Sequence, residues 1–581
     1  MPETETVPAQ PVAFEGLFGW HSPGRTGRGV ILCGTHGYEQ LSAHRGWRAL
    51  AERIAGTGCT VLRFDYPGQG DSGDVAVERL EDALGAIRAA IRFLRADPGI
   101  EEIALVGLRL GGTLAAQVAA ETGGVDRLVL IAPFAAGRTF LREMKILSRT
   151  TGVLPDGTPL PQEPEGLTVA AFRIGPALSE DLGGLDLAKL TRAPAPRILL
   201  LGGEGGALPK RLAALGAQVE TRPFPELPDL VSNPLYAKVP EAAFAAVAAF
   251  LSEGAAPRLR PAAPAREAVL AGPGWSERPA RFGPGLFGLA CAPETPLPRA
   301  PVVLFVNAGT NVHSGWGRST TRLARRLAGI GVASLRMDLG GIGDSAPRAS
   351  GVFPIYADET LDDVTAALDH LGRPAVIFGA CSGANLGFHA TCRDPRIAAA
   401  ILVNLQRFDW DKTQDIEVAM RNVYRSTGTY AAMLKQGAAW KRLVRGEVRV
   451  GPILASLARR GFEAVQRRIA PLVNPPPGGS VKRRVAAIRR RGSLIQLVYS
   501  QGDVGLADLA LQLGRQADAR LGRPVTVIPE ADHDLSTRAA QETLYGVVSG
   551  LLRDLAAAPL PSSEGARGAA PVAYGRVAPA R

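Results

Sequence analysis

FGACSGAN, residues 378–385, decides how the rest of the chain is read. It continues the apolar run AVI and leads into a helix-like stretch, which places it at a strand-to-helix turn. Gly379 and Gly383 lie two positions before and two after Cys381. A sharp elbow needs small residues at those places, because it crowds its neighbours while pushing one side chain outward. The side chain pushed outward is normally a nucleophile, and here it is a thiol.

The same turn occurs roughly 270 residues earlier, where IALVGLRLGGTLA (103–115) aligns with AVIFGACSGANLG (375–387); this period is far longer than that of a solenoid repeat. GLFGW (16–20) matches GLFGL (285–289), and VLRFDYPGQGDSGD (61–74) matches SLRMDLGGIGDSAP (334–347). The halves are copies. Each alternates short apolar runs with amphipathic stretches, the pattern of a parallel sheet covered by helices on both faces. The expected fold class is α/β: two tandem domains, each a mostly parallel sheet covered by helices. Residues 1–251 form the first domain. Residues 252–270, rich in Pro and Ala, form a linker, and residues 271–555 form the second domain, with an insertion at about 411–491. Residues 556–581 read as a disordered tail.

The length of 581 residues suits two domains, and 46% hydrophobic with 21% charged residues is an ordinary globular composition. Five cysteines (Cys33, Cys59, Cys291, Cys381 and Cys392) show neither CxxC nor Cys/His spacing. Neither a disulfide framework nor a zinc site is expected, and a reducing cytoplasm fits. The N-terminus MPETETVPAQPVAF has acids and prolines where a signal peptide needs a basic start and an apolar run, so export and membrane spanning are not expected. The net charge of +11 suits anionic partners, although an arginine-rich composition alone produces it.

DxxGxGxS after a strand in both halves (Asp65 to Ser72, Asp338 to Ser345), the elbow, and a late insertion together resemble the α/β-hydrolase fold. More narrowly, the chain is similar to serine aminopeptidase S33-type hydrolases. FVNAGTNVHSG, GACSGA and LVNLQRFDW are similar to segments of hydrolases associated with bacterial exosortase and surface-polysaccharide gene clusters.

That resemblance implies a triad in the order nucleophile, acid, histidine. Cys381 is followed by SLIQLVYSQGD, ending at Asp503, and by PVTVIPEADHD, which contains His533. His533 would take the thiol proton, and Asp503 would hold the imidazole tautomer. The backbone N–H groups of Ser382 and Thr310 would form the oxyanion hole. Ser382 as nucleophile, and Asp532 or Asp534 as the acid, remain alternatives. Asn307 and His313 are weak substrate-binding candidates; His313 and His389 also read as structural.

In the first half, arginine (Arg109) stands at the elbow, and no histidine occurs between His44 and His313. This copy reads as degenerate, with Arg109 paired to Glu204 or clamping an anion. The 411–491 insertion holds eighteen Lys or Arg against five Asp or Glu and reads as a basic cap. It suits an anionic acyl carrier, an acidic saccharide or peripheral contact with the inner membrane. Nucleic-acid motifs are absent, and no cofactor or metal is implied.

The functional expectation is a cytoplasmic acyl hydrolase of the esterase or thioesterase type, acting through an acyl-enzyme. An acyltransferase in surface-polysaccharide or lipid metabolism and a non-catalytic assembly protein are the alternatives. Amide cleavage, suggested by the S33 likeness, is harder chemistry, and no site for a peptide N-terminus is marked.

Overall fold

In the computed structural model, which describes residues 8–151, 154, 158, 160, 166–203, 205–256, 268–410 and 479–557, the duplication becomes a duplication of topology. The first sheet contains β1 (Gln10–Phe14), β2 (Leu17–Ser22), β3 (Arg28–Cys33), β4 (Thr60–Phe64), β5 (Glu102–Leu108), β6 (Arg127–Ile131), β9 (Arg197–Leu201) and β10 (Gln218–Arg222). They lie in the order β1-β2-β4-β3-β5-β6-β9-β10. The β1–β2 hairpin is antiparallel and β2 pairs antiparallel with β4, whereas every later pairing is parallel. A separate hairpin, β7 (Leu167–Val169) with β8 (Phe172–Ile174), is inserted between β6 and β9.

The second sheet contains β11 (Leu270–Gly272), β12 (Trp275–Phe282), β13 (Leu286–Pro293), β14 (Val302–Phe305), β15 (Ser334–Asp338), β16 (Ala375–Ala380), β17 (Ile397–Val403), β18 (Leu494–Ser500) and β19 (Thr526–Ile528). Its order is β11-β12-β13-β15-β14-β16-β17-β18-β19, so beyond the extra edge strand β11 it repeats the first sheet strand for strand. The central parallel strands are continuous apolar runs because helices cover both faces: Val303, Leu304, Val376 and Ile377 are fully buried. The first domain's last helix ends at Ser252, and β11 begins the second sheet. Linker residues 257–267, cap residues 411–478 and tail residues 558–581 lie outside the described residues, while the helix Val481–Arg490 at the end of the insertion is described.

The repeated DxxGxGxS segment is a turn built twice to one plan. Asp65 Oδ2 accepts from the Asp71 N–H and Asp338 Oδ2 from the Asp344 N–H, both at 3.0 Å. Ser72 Oγ and Ser345 Oγ each donate to the carbonyl of that Asp at 2.6 Å, and each accepts a backbone N–H from β2 or β13 at 2.9 Å. Gly70 and Gly343 have φ of 47° and 53°, and a Cβ on either would strike the Asp carboxylate.

These turns also join the domains. Arg63 on β4 reaches Asp344 of the other domain at 2.5 Å, and its counterpart Arg336 on β15 reaches Asp71 at 2.6 Å. The same exchange is thus made in both directions. Arg336 is fully buried and also bonds Glu277, while Arg325 carries its guanidinium to the carbonyls of Asp71 and Ser72. An apolar seam of Phe18, Trp20, Ala268, Phe287 and Leu289 accompanies the ion pairs, with the Trp20 and Phe287 rings 4.7 Å apart.

Candidate active site

The elbow forms where β16 meets the helix Ser382–Arg393. Cys381 has φ 54° and ψ −119°, a left-handed conformation that costs a non-glycine residue about 1–3 kcal/mol and survives only where its surroundings enforce it. They do so by leaving no room. A Cβ on Gly379 would lie 2.1 Å from the Gly383 carbonyl oxygen, and one on Gly383 would lie 2.5 Å from that of Asn307. Of the five cysteines only Cys381 is partly exposed. Burial pushes the thiols of Cys33 and Cys291 up, the latter to about 12.

Asp503 follows β18 and His533 lies in the loop after β19. His533 Nδ1 sits 2.6 Å from Asp503 Oδ2, while Asp503 Oδ1 accepts the Gly505 N–H at 2.8 Å. Cys381 lies close enough to the imidazole to act on its charge. Burial alone would lower the His533 pKa, but Cys381 and Asp503 together hold it well above the ordinary histidine value. The structure therefore brings together the three residues expected to meet. Asp532 instead bonds the Ser536 N–H and hydroxyl, at 2.7 and 2.6 Å.

Ser382 is buried, and its Oγ accepts the Gly309 N–H at 2.8 Å, so the hydroxyl is occupied in holding the neighbouring loop. Its own N–H belongs to the first turn of the helix, where intrahelical acceptors are lacking. Thr310 follows Gly309 in that loop, and its buried hydroxyl has no hydrogen-bond partner among the described residues.

Asn307 and His313 both have their side-chain polar atoms engaged within the protein. Asn307 Nδ2 donates to Asp338 at 2.9 Å and to the Asn311 carbonyl at 2.8 Å, while its Oδ1 accepts the Leu339 N–H at 2.7 Å. His313, its side chain 2% exposed, lies between Asp338 (Nδ1, 2.6 Å) and Asp71 (Nε2, 2.7 Å). Atoms of His313, Asp338 and Asp344 lie within 4.8 Å of one another, as metal ligands would. Both imidazole nitrogens face carboxylates and Arg63 engages Asp344, so these donors are already committed. His389 bonds the Phe408 carbonyl at 2.9 Å, a structural contact.

The first-domain elbow has the same shape with an arginine at its apex: Arg109 has φ 54° and ψ −121°. Its partners are Glu39, at 2.9 Å, and Glu143, and its guanidinium lies 4.1 Å from the Phe134 ring centre. Glu39 lies in the first turn of the helix that follows β3. Glu204 lies outside the described residues.

Several residues at the site escape sequence reasoning. Asn404, after β17, donates to the His533 carbonyl at 2.7 Å and has φ 48°. The Gln406 amide nitrogen lies 3.4 Å from His533 Nε2. Tyr356, close enough to Cys381 for the thiol to raise its pKa further after burial has done so, stacks on Trp410 with ring centres 4.5 Å apart. The only available signal was their position at or after strand ends on the elbow side. A cavity of about 890 Å³ opens between the domains, lined by Asp71, His313, Arg318 and Arg325 among others. None of Cys381, Asp503 and His533 lines it, so the chemistry lies elsewhere.

This sheet order, elbow and late histidine loop define an α/β-fold hydrolase. The Serine aminopeptidase, S33 family matches residues 28–166, and the Alpha/beta hydrolase family matches residues 303–544. Each half of the chain thus matches an α/β-hydrolase-type family model and carries one domain of that fold. Similar solved structures include Est1E from Butyrivibrio proteoclasticus with ferulic acid bound, which is 18% identical over 42% of this chain and 98% of that one, with a TM-score of 0.31. An esterase from Pyrococcus furiosus is 15% identical over 43% and 91%, with a TM-score of 0.31. A putative lipase from Acinetobacter baumannii is 13% identical over 48% and 92%, with a TM-score of 0.31. No curated protein matches. Among the described residues, no helix is long and apolar enough to cross a membrane.

Proposed function

We propose that the second domain hydrolyses acyl esters or thioesters through Cys381, and that the first domain is non-catalytic. One observation carries the reading: the His533–Asp503 pair, at 2.6 Å, lies beside a cysteine held in a strained elbow, close enough for Cys381 to raise the imidazole's pKa. His533 takes the thiol proton as sulfur attacks the acyl carbon. The carbonyl oxygen becomes an oxyanion facing the backbone N–H groups of Ser382 and Thr310. Collapse expels the alcohol or thiol, which takes the proton from His533 and leaves an S-acyl enzyme. Water then attacks with His533 as base, releasing the acid and restoring the thiol.

Tyr356 and Trp410 offer an apolar wall for the acyl group, with Val352 and Phe353 exposed on the same loop as Tyr356. An anionic acyl carrier suits the basic insertion, most of which lies outside the described residues. Incubation with p-nitrophenyl acetate and acyl-thioesters, followed by intact-mass measurement, tests the reading. An acyl adduct on Cys381 that accumulates in wild type and is absent in Cys381→Ala supports it. Absence of both adduct and turnover overturns it. Adding a saccharide acceptor in a parallel arm shows whether the acyl group moves to a hydroxyl, the outcome expected of a transferase in a surface-polysaccharide system.

A further inference from the structure

We infer that the degenerate first domain serves the second as a positioning partner, with Asp71 holding, through His313, the loop that supplies the oxyanion donors. This rests on the proposed reading of the Cys381 site. The connection is continuous. Asp71 Oδ1 is fixed by Arg336 at 2.6 Å, and Oδ2 meets His313 Nε2 at 2.7 Å. His313 Nδ1 meets Asp338 Oδ2 at 2.6 Å, while the His313 N–H donates to Asp338 Oδ1 at 2.8 Å. That Oδ1 also accepts from Asn307 Nδ2, which in addition holds the Asn311 carbonyl at 2.8 Å. Between Asn307 and Asn311 lies the segment Ala308–Gly309–Thr310, and Gly309 donates to Ser382 beside the nucleophile.

The first domain grips the far end of the same loop as well. Arg318 Nε donates to the Gly70 carbonyl at 2.9 Å, and its guanidinium also bonds the Ser72 carbonyl and Asp74. A Cβ on Gly317 would lie 2.7 Å from that of Ala171, so the β7–β8 hairpin is packed directly on the loop. Oxyanion donors work only when held within a few tenths of an ångström of their position. An imidazole between two carboxylates is held as the cation, and with Asp71 neutralised one of its two anchors is gone. In this arrangement Asp71 acts through His313 and not on the reacting atoms at Cys381, so it is a positioning residue.

The test uses the full chain with Asp71→Asn, which preserves shape, and Arg63→Gln, which breaks the reciprocal domain contact without removing a hydrogen bond to His313. For p-nitrophenyl acetate, Asp71→Asn should lower kcat about tenfold with KM unchanged within about twofold, because the loss falls on the transition state. Alkylation of Cys381 by iodoacetamide, which needs no oxyanion hole, should stay within about twofold of wild type. Arg63→Gln should leave kcat unchanged within about twofold. Equal losses of kcat in both variants, or none in Asp71→Asn, would overturn the inference.

Hydrogen exchange at residues 308–312 gives a readout independent of turnover: faster exchange in Asp71→Asn but not in Arg63→Gln supports the inference, and unchanged exchange sinks it. If wild type turns over no ester while the exchange difference persists, the hydrolase reading fails and the positioning contact stands.

Discussion

At the scale of single residues, the assignment of nucleophile turns on Cys381 and Ser382, adjacent in sequence but opposed in environment. Cys381→Ala should abolish esterase activity, a loss of about 10³-fold or more, and His533→Ala should do the same. Ser382→Ala should cost only the Gly309 hydrogen bond, about 1 kcal/mol of stability, and leave iodoacetamide labelling of Cys381 intact. Peptide mapping after alkylation checks all three variants. Labelling in the native protein should fall on Cys381, because the other four thiols are buried. His533→Ala should slow it by removing the base that generates thiolate.

At the scale of elements, the elbow and the DxxGxGxS turn are backbone devices, and substitution tests them as such. Gly379→Ala or Gly383→Ala forces a methyl against a carbonyl oxygen. Each should lower the melting temperature and remove activity together, whereas an alanine at Gly372, a helix C-cap with no neighbour near its Cβ, should cost only the left-handed strain of about 1 kcal/mol. These devices were legible in the sequence because each is a run of adjacent residues whose steric needs are local. The placement of Cys381, Asp503 and His533 after strands was legible for a related reason: each follows an apolar strand-like run. Asn404 and Gln406 were not, since their roles appear only when the end of β17 meets a loop more than 120 residues further on. Asn307 and His313 lie near the elbow in sequence pattern, but their polar atoms are consumed by Asp338 and Asp71. Arg109 finds Glu39 because the helix after β3 packs beside the elbow, a proximity that only the closed sheet creates.

At the scale of the whole molecule, the ion pairs between domains were invisible in the sequence, where Arg63 and Arg336 are simply charges inside apolar strands. Removing one partner of a buried pair leaves the other charge uncompensated, so Arg336→Ala should destabilise the chain by about 3–5 kcal/mol in denaturant unfolding. The pH dependence follows from His313. Burial would lower its pKa, but Asp338 and Asp71 raise it well above the ordinary value. Its contribution to stability is therefore complete below the unfolded pKa of about 6.5 and is lost as pH rises through the folded value. Asp71 acts in the opposite sense. Burial would raise its pKa, yet His313 and Arg336 hold it far below the carboxylate range, so its share is present above the unfolded pKa of about 3.9 and fades in acid. Melting temperatures measured from pH 5 to 10 should fall on the alkaline side in wild type, and less steeply in His313→Gln.

The mirrored Arg–Asp exchange across the domain boundary is what a self-complementary surface becomes when two copies are fused in one chain. A free-standing ancestor with both halves of that contact would associate with itself, and only at sufficient concentration. Tethering makes the partner permanent and removes dilution as a threat.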